Sequence, residues 1–205
     1  MSTLTQETEV KLYIAAFDDI IEALNNAGAE LIQERVHERN MRYENDEKSL
    51  TNRGIVVRLR EDVDITLTYK GTSSVDNGIM TREELEVQVS DYDVMEQILD
   101  RLGYYPFMYY EKYRTIYALN NTQIMLDEMP FGKFVEVEGE KEAIEQTLSQ
   151  LNLNDVERRP QSYSKLFDFV KHHLELDFKD LTFENFAEID VPESAFIPPG
   201  SIVIK

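Results

Sequence analysis

The sequence contains no cysteine. Disulfides and thiolate metal sites are therefore excluded, and any metal must be held by oxygen or imidazole ligands, which makes carboxylates the natural donors. Long apolar runs are also missing. Nowhere do about eighteen consecutive apolar residues occur, the length that a membrane-crossing helix requires. The first residues, 1–11, lack a basic stretch followed by an apolar core, so no secretory leader is expected and the expected location is cytoplasmic, away from the membrane. With eight glycines and six prolines in 205 residues, no repeat or low-complexity linker interrupts the chain. One large domain over roughly 1–175 is expected, followed by an acidic and aromatic tail, 176–205.

Positive charge is scarce: 21 lysines and arginines face 40 aspartates and glutamates, a formal net charge of −19. Such a field repels a phosphate backbone at long range, so nucleic acid is not an expected partner. A small anion remains compatible if the few basic residues are gathered in one place.

What is present is alternation. Glu7 to Lys11, Val57 to Arg60, Ile65 to Lys70, Glu84 to Val89, Glu111 to Tyr117, Thr122 to Asp127 and Phe134 to Glu138 all read as half-buried antiparallel strands. The turn at Glu61-Asp62 and the Pro130-Phe131-Gly132 turn predict two hairpins. Helical spacing appears at Phe17, Ile20, Ile21 and Leu24 before Gly28, and at Val94 to Leu102 before Gly103. It recurs at Ile144, Leu148 and Leu151, and after Pro160 at Leu166, Phe167 and Val170. From about Leu176 the aromatic residues among the acids read as a tail docked on the domain, with a partner-binding segment as the other reading.

Because side chains alternate across a strand, the charged ones share faces: Glu7, Glu9 and Lys11; Arg58 and Arg60; Glu84 and Glu86; Lys112 and Arg114; Glu136 and Glu138. The opposite faces are apolar, and the amphipathic helices need such faces to cover. The charged faces then point either to open solvent or to the inside of a closed sheet. Taken singly, each is what the wet side of an ordinary sheet carries. As a set they form same-sign pairs. Acid pairs suit hard divalent cations, and arginines suit forked hydrogen bonds to phosphate oxygens.

In that order these motifs resemble the triphosphate tunnel metalloenzymes, the CYTH superfamily of class IV adenylate cyclases and thiamine triphosphatases. The resemblance covers about residues 5 to 170. It rests on Glu7-x-Glu9-x-Lys11, Arg58-x-Arg60, Thr68-x-Lys70 and Arg82-x-Glu84-x-Glu86. It continues through Lys112-x-Arg114, Leu126-Asp127, Glu136-x-Glu138 and Ser162-Tyr163-Ser164-Lys165. The resemblance implies an α+β fold, a closed eight-stranded antiparallel β-barrel with helices packed outside. It implies Mg2+ or Mn2+ held by Glu7, Glu9, Glu136 and Glu138, with Asp127, Glu84 and Glu86 as further ligands. Arg58, Arg60, Lys70, Lys112, Arg114 and Lys165 would contact the phosphates, and Lys11, with Tyr43, would orient or activate the attacking group. One departure stands out: relatives carry a Tyr-Phe-Asp-Thr-like run where this chain has Tyr43-Glu44-Asn45-Asp46.

His37, His172 and His173 lack ligand-like company, and neither a GxxxxGK[ST] loop nor a serine- or cysteine-centred nucleophile motif occurs. The leading expectation is metal-dependent hydrolysis of a triphosphate-bearing small molecule: inorganic triphosphate, a nucleoside triphosphate or thiamine triphosphate. The alternative is a class IV adenylate cyclase, and a third reading is a non-catalytic polyphosphate- or nucleotide-binding module. Monomer and homodimer both remain open.

Overall fold

The structure, a computed structural model, describes residues 5–200. The elements run β1 (Thr5–Ile14), α1 (Asp18–Ala27), β2 (Glu30–Glu44), α2 (Ser49–Asn52), β3 (Val56–Glu61), β4 (Ile65–Asp76) and β5 (Ile79–Gln88). They continue with α3 (Tyr92–Arg101), β6 (Tyr105–Leu119), β7 (Thr122–Met129), β8 (Gly132–Glu138), α4 (Lys141–Gln150) and α5 (Tyr163–Leu174), then a short 3-10 turn, Glu193–Phe196. The eight strands close into an antiparallel barrel in the order β1-β5-β4-β3-β2-β6-β7-β8, as the resemblance implied. Closure removes every free sheet edge except where strands outrun their neighbours. Among the described residues no helix is long and apolar enough to cross a membrane.

Three apolar clusters hold the barrel. On one wall, the outward side chains of β1, β7 and β8 (Val10, Leu12, Ile124, Leu126, Val135, Val137) are covered by Ile20 and Leu24 of α1 and Ile144 and Leu148 of α4. Gly28 ends α1 in the left-handed conformation at φ 74°, where a residue without Cβ costs least. On another wall, Leu59 and Tyr43 pack beneath Leu99 of α3. Helix cover is incomplete there: Leu85 and Val87 on β5 remain 38% and 55% exposed.

The third cluster lies at one end of the barrel. Tyr13, Met108 and Phe134 share the inward faces of β1, β6 and β8 with the charged residues, and they pack against Leu166, Phe167 and Val170 of α5. Leu181, Phe186 and Phe196 complete this cluster, so α5 and the segment after it stop up that end. Gly132 permits the close approach here, because a Cβ would meet the Tyr13 ring at 2.8 Å.

β2 was not anticipated as a strand. It pairs with β6 over almost its whole length through several register shifts, one of them at Pro106, which has no amide hydrogen to give the ladder. Over Arg35–Arg39 its outward face is polar rather than an apolar stripe: Arg35 pairs with Glu128, His37 hydrogen-bonds Glu111 and Arg39 pairs with Glu61.

Candidate active site

The alternation of β1 turns Glu7, Glu9 and Lys11 into the barrel, and the antiparallel register sets Glu9 opposite Glu138 and Lys11 opposite Glu136 on β8. These residues line a cavity of about 460 Å³. Lys11 Nζ lies 3.0 Å from Glu136 and 3.7 Å from Glu9, and sits 4.6 Å over the ring of Tyr163. On β5, Arg82 Nε donates to Glu7 at 2.6 Å, while Lys70 of β4 lies 3.0 Å from both Glu7 and Glu84.

The far wall is mainly basic. Arg58 of β3 donates to Tyr110 Oη at 3.3 Å and Thr68 Oγ1 at 3.2 Å. Arg60 lies 3.4 Å from Glu86. On β6, Lys112 and Arg114 converge on Asp127 at 2.9 and 2.6 Å, and Arg114 reaches Glu136 as well. In all, eight cationic and six acidic side chains line the cavity, together with the first turn of α5 at Ser162, Tyr163 and Ser164.

Pairing divides the carboxylates into two kinds. Burial would raise Glu7, but Lys70 and Arg82 hold it well below its ordinary value; Lys11 and Arg114 do the same for Glu136. Glu138 is pushed up to about 7 by burial and then by Glu7, Glu9 and Glu84. Glu84 also rises to about 7, through burial and Glu7, and Glu9 rises through burial and Glu136. Glu138 has no hydrogen bond or ion pair among the described residues. Among the described residues Glu9 has ion-pair contacts only at 3.7 and 4.0 Å. Two under-neutralised carboxylates facing each other across a strand pair fit a hard divalent cation. Among the described residues no three such groups stand close enough to be a finished metal site.

Twelve of the sequence-predicted residues therefore share one cavity, and three do not. Tyr43 points outward, where it is buried beneath α3 and donates its hydroxyl to Glu96 at 2.9 Å; burial pushes its phenol far up, so it does not act on a group in the barrel. Lys165 lies on the exposed side of α5 with its ammonium 5.3 Å over Phe169, because the helix turns it away from Ser162 and Ser164. Asp127 is wholly buried on the inward face of β7 and accepts from Lys112, Arg114 and Tyr163, so its oxygens are already committed.

Sequence reasoning missed Arg42, Glu38 and Tyr110, and passed over Arg82 as a motif neighbour. Glu38 is held well down by Lys112 and Arg114 against the upward pull of burial, and it anchors both cations. Its signal was the spacing Glu38-x-Asn40-x-Arg42, obscured by charges on the alternate positions.

A family model, the CYTH domain, matches residues 5–164. The chain belongs to the CYTH family. Members of this family are enzymes that act on triphosphate substrates and use divalent metal ions. A Methanocaldococcus jannaschii protein named "Putative adenylate cyclase" is 28% identical over 151 residues, 73% of this chain and 81% of the relative. A solved structure from Pyrococcus horikoshii is 29% identical, covers 78% of this chain and 97% of its own, and superposes with a TM-score of 0.63. One from Vibrio parahaemolyticus, 19% identical, covers 81% and 99% with a TM-score of 0.68 and shares the fold. The CYTH match ends at Ser164, at the start of α5.

Proposed function

We propose that this CYTH protein is a divalent-metal-dependent triphosphatase that releases orthophosphate from a triphosphate-bearing small molecule. The observation that carries the reading is the chemistry of the cavity wall. Eight cations and six carboxylates leave Val56, Ile116 and Met125 as its apolar lining residues. Both lining tyrosines are built into the wall: Tyr110 accepts from Arg58, and Tyr163 donates to Asp127 with Lys11 over its ring. A cyclase has to hold adenine and present the ribose hydroxyl to the α-phosphorus, and charged side chains rather than the apolar surface a purine packs against make up most of this lining.

A magnesium or manganese ion held by Glu9 and Glu138, with Glu7 and Glu136 beside them, would draw charge from the phosphoryl oxygens. Arg58, Arg60, Lys112 and Arg114 neutralise the rest of the chain of phosphates and hold it in line. Although burial disfavours the Lys11 ammonium, Glu136 and Glu9 raise its affinity for the proton, so it serves as a charged donor. It orients a phosphoryl oxygen or the attacking water and does not take the water's proton.

Product analysis tests the reading. Purified protein with inorganic tripolyphosphate and either metal is expected to release orthophosphate, to stop with a chelator, and to form no cyclic AMP from ATP. Cyclic AMP and pyrophosphate in equal amounts would establish the cyclase in its place. Tight binding without any product would establish a binding module.

A further inference from the structure

The second half of β2 turns Glu38, Asn40 and Arg42 inward. Glu38 is matched by Lys112 at 3.4 Å and Arg114 at 3.7 Å. The other two are not matched. Asn40 is wholly buried, and neither its amide oxygen nor its amide nitrogen has a hydrogen-bond partner among the described residues. Arg42 lines the cavity with neither a hydrogen bond nor an ion pair among those residues; its contact is a loose one with the Phe107 ring at 5.9 Å. Each of the other seven lining cations has an acidic partner within 4.0 Å.

Register sharpens the anomaly. Arg42 stands directly opposite Arg58 across the β2–β3 pair. Like charges in that position repel unless an anion lies between them. Burial pulls the Arg42 guanidinium below its ordinary value and Arg58 adds to the pull, only partly offset by Tyr110, Asp168 and Glu44. Asp168 follows Ser164 by one turn on the same face of α5, so Arg42 looks toward the side of the helix whose first turn enters the cavity. There the backbone N–H groups of Tyr163 and Ser164 have no acceptor within the helix and carry the positive end of its dipole.

We propose that Arg42, Arg58 and the first turn of α5 form a subsite at the closed end of the barrel that seats one phosphoryl group of the substrate. This rests on the triphosphate reading above and deepens it. Two facing guanidinium groups match the oxygens of one phosphoryl group, and Arg42 supplies at α5 the charge that Lys165 was expected to bring. Because α5 stops up this end, the seated group is a terminal, unsubstituted phosphate. The substrate class is thereby narrowed to triphosphates with a free end, and a triphosphate esterified at both ends is excluded.

Calorimetric titration with inorganic tripolyphosphate, with the metal chelated and again with calcium, tests this without reliance on turnover. Arg42→Met keeps the buried stem and removes the charge, whereas Arg42→Lys keeps the charge and loses the fork. Arg42→Met is expected to bind about 30-fold or more weakly, and Arg42→Lys to recover part of the loss. The melting temperature of unliganded Arg42→Met should equal or exceed that of the wild type, since a half-buried charge facing Arg58 without an ion pair is gone. Affinity within twofold of wild type in Arg42→Met overturns the subsite and leaves the triphosphate reading standing. No binding by the wild type in either condition overturns both.

Discussion

Glu138 faces Glu9 across the β1–β8 strand pair, and among the described residues no cation forms an ion pair with it. In an unfolded chain its carboxyl ionises near 4.5, while in the native protein it does so at about 7. Between those values the native state binds more protons than the unfolded state, so stability falls as pH rises through the window. Glu84 acts in the same direction over the same range, and Glu9 is shifted in the same sense. Glu7 and Glu38, held down by their cations, contribute with the opposite sign, but only below about pH 4.5. Chelator-treated protein should therefore lose roughly 1–3 kcal/mol of unfolding free energy between pH 5 and 7.5 through Glu138, and Glu138→Gln should remove that part of the slope. Denaturant titrations at several pH values measure it, and parallel profiles for the two proteins would refute the assignment. Residues that alternate strictly with apolar neighbours, such as Glu138, were legible in the sequence. Whether a carboxylate is open or committed was not, because Asp127 meets the cations of β6 and the Tyr163 hydroxyl where Glu138 meets Glu9 on β1. Tyr43 and Lys165 misled for a related reason: a motif gives the residue, and strand parity or helix phase decides where it points.

At the scale of elements, β6 is only half covered on one side. β7 pairs with it over Tyr113–Leu119, which leaves the earlier stretch facing the segment after α5. That segment supplies the missing partners. Leu181 exchanges backbone hydrogen bonds with Tyr109 and Glu111 at 3.0 and 3.1 Å, and Asp180 accepts from the Tyr109 amide at 2.9 Å. Phe183 N–H in turn reaches the Glu111 carboxylate at 2.8 Å. The Leu181 side chain is wholly buried in the cluster beneath α5. Leu181→Ala is expected to cost about 2–4 kcal/mol of stability and to speed hydrogen exchange at the Tyr109 and Glu111 amides. A loss below about 0.5 kcal/mol with unchanged exchange would mean that the segment only lies on the surface. The strands that pack one apolar face were readable from their period, as were the helices with glycine stops. β2 was not, because Arg35, His37 and Arg39, bonded to Glu128, Glu111 and Glu61, interrupt the apolar alternation of its outer face before Met41 and Tyr43. The segment after α5 has no period of its own, since it takes its shape from the β6 edge.

The molecule as a whole is strongly acidic, yet it gathers eight of its 21 basic side chains around one cavity. Closure of the barrel is what makes that possible, and alternation in any one strand read as the wet side of an ordinary sheet. Closure rests on the β1–β5, β1–β8 and β2–β6 pairs, contacts between distant segments that no local pattern records. The resemblance supplied it. The charge imbalance has a kinetic consequence. A triphosphate approaching a protein of net charge −19 meets repulsion before it reaches the arginines. At about 10 mM salt the screening length is about 30 Å, whereas at about 100 mM it is about 10 Å. Added salt should first remove the long-range repulsion and leave the buried contacts, which it screens much less, largely in place. The association rate constant for tripolyphosphate is thus expected to rise severalfold over that interval, with a smaller change in the dissociation rate. Stopped-flow mixing with the chelated protein measures both rates. An association rate that falls with salt would mean that the mouth of the barrel attracts the anion, and that the acidic surface lies too far from the path of entry to oppose it.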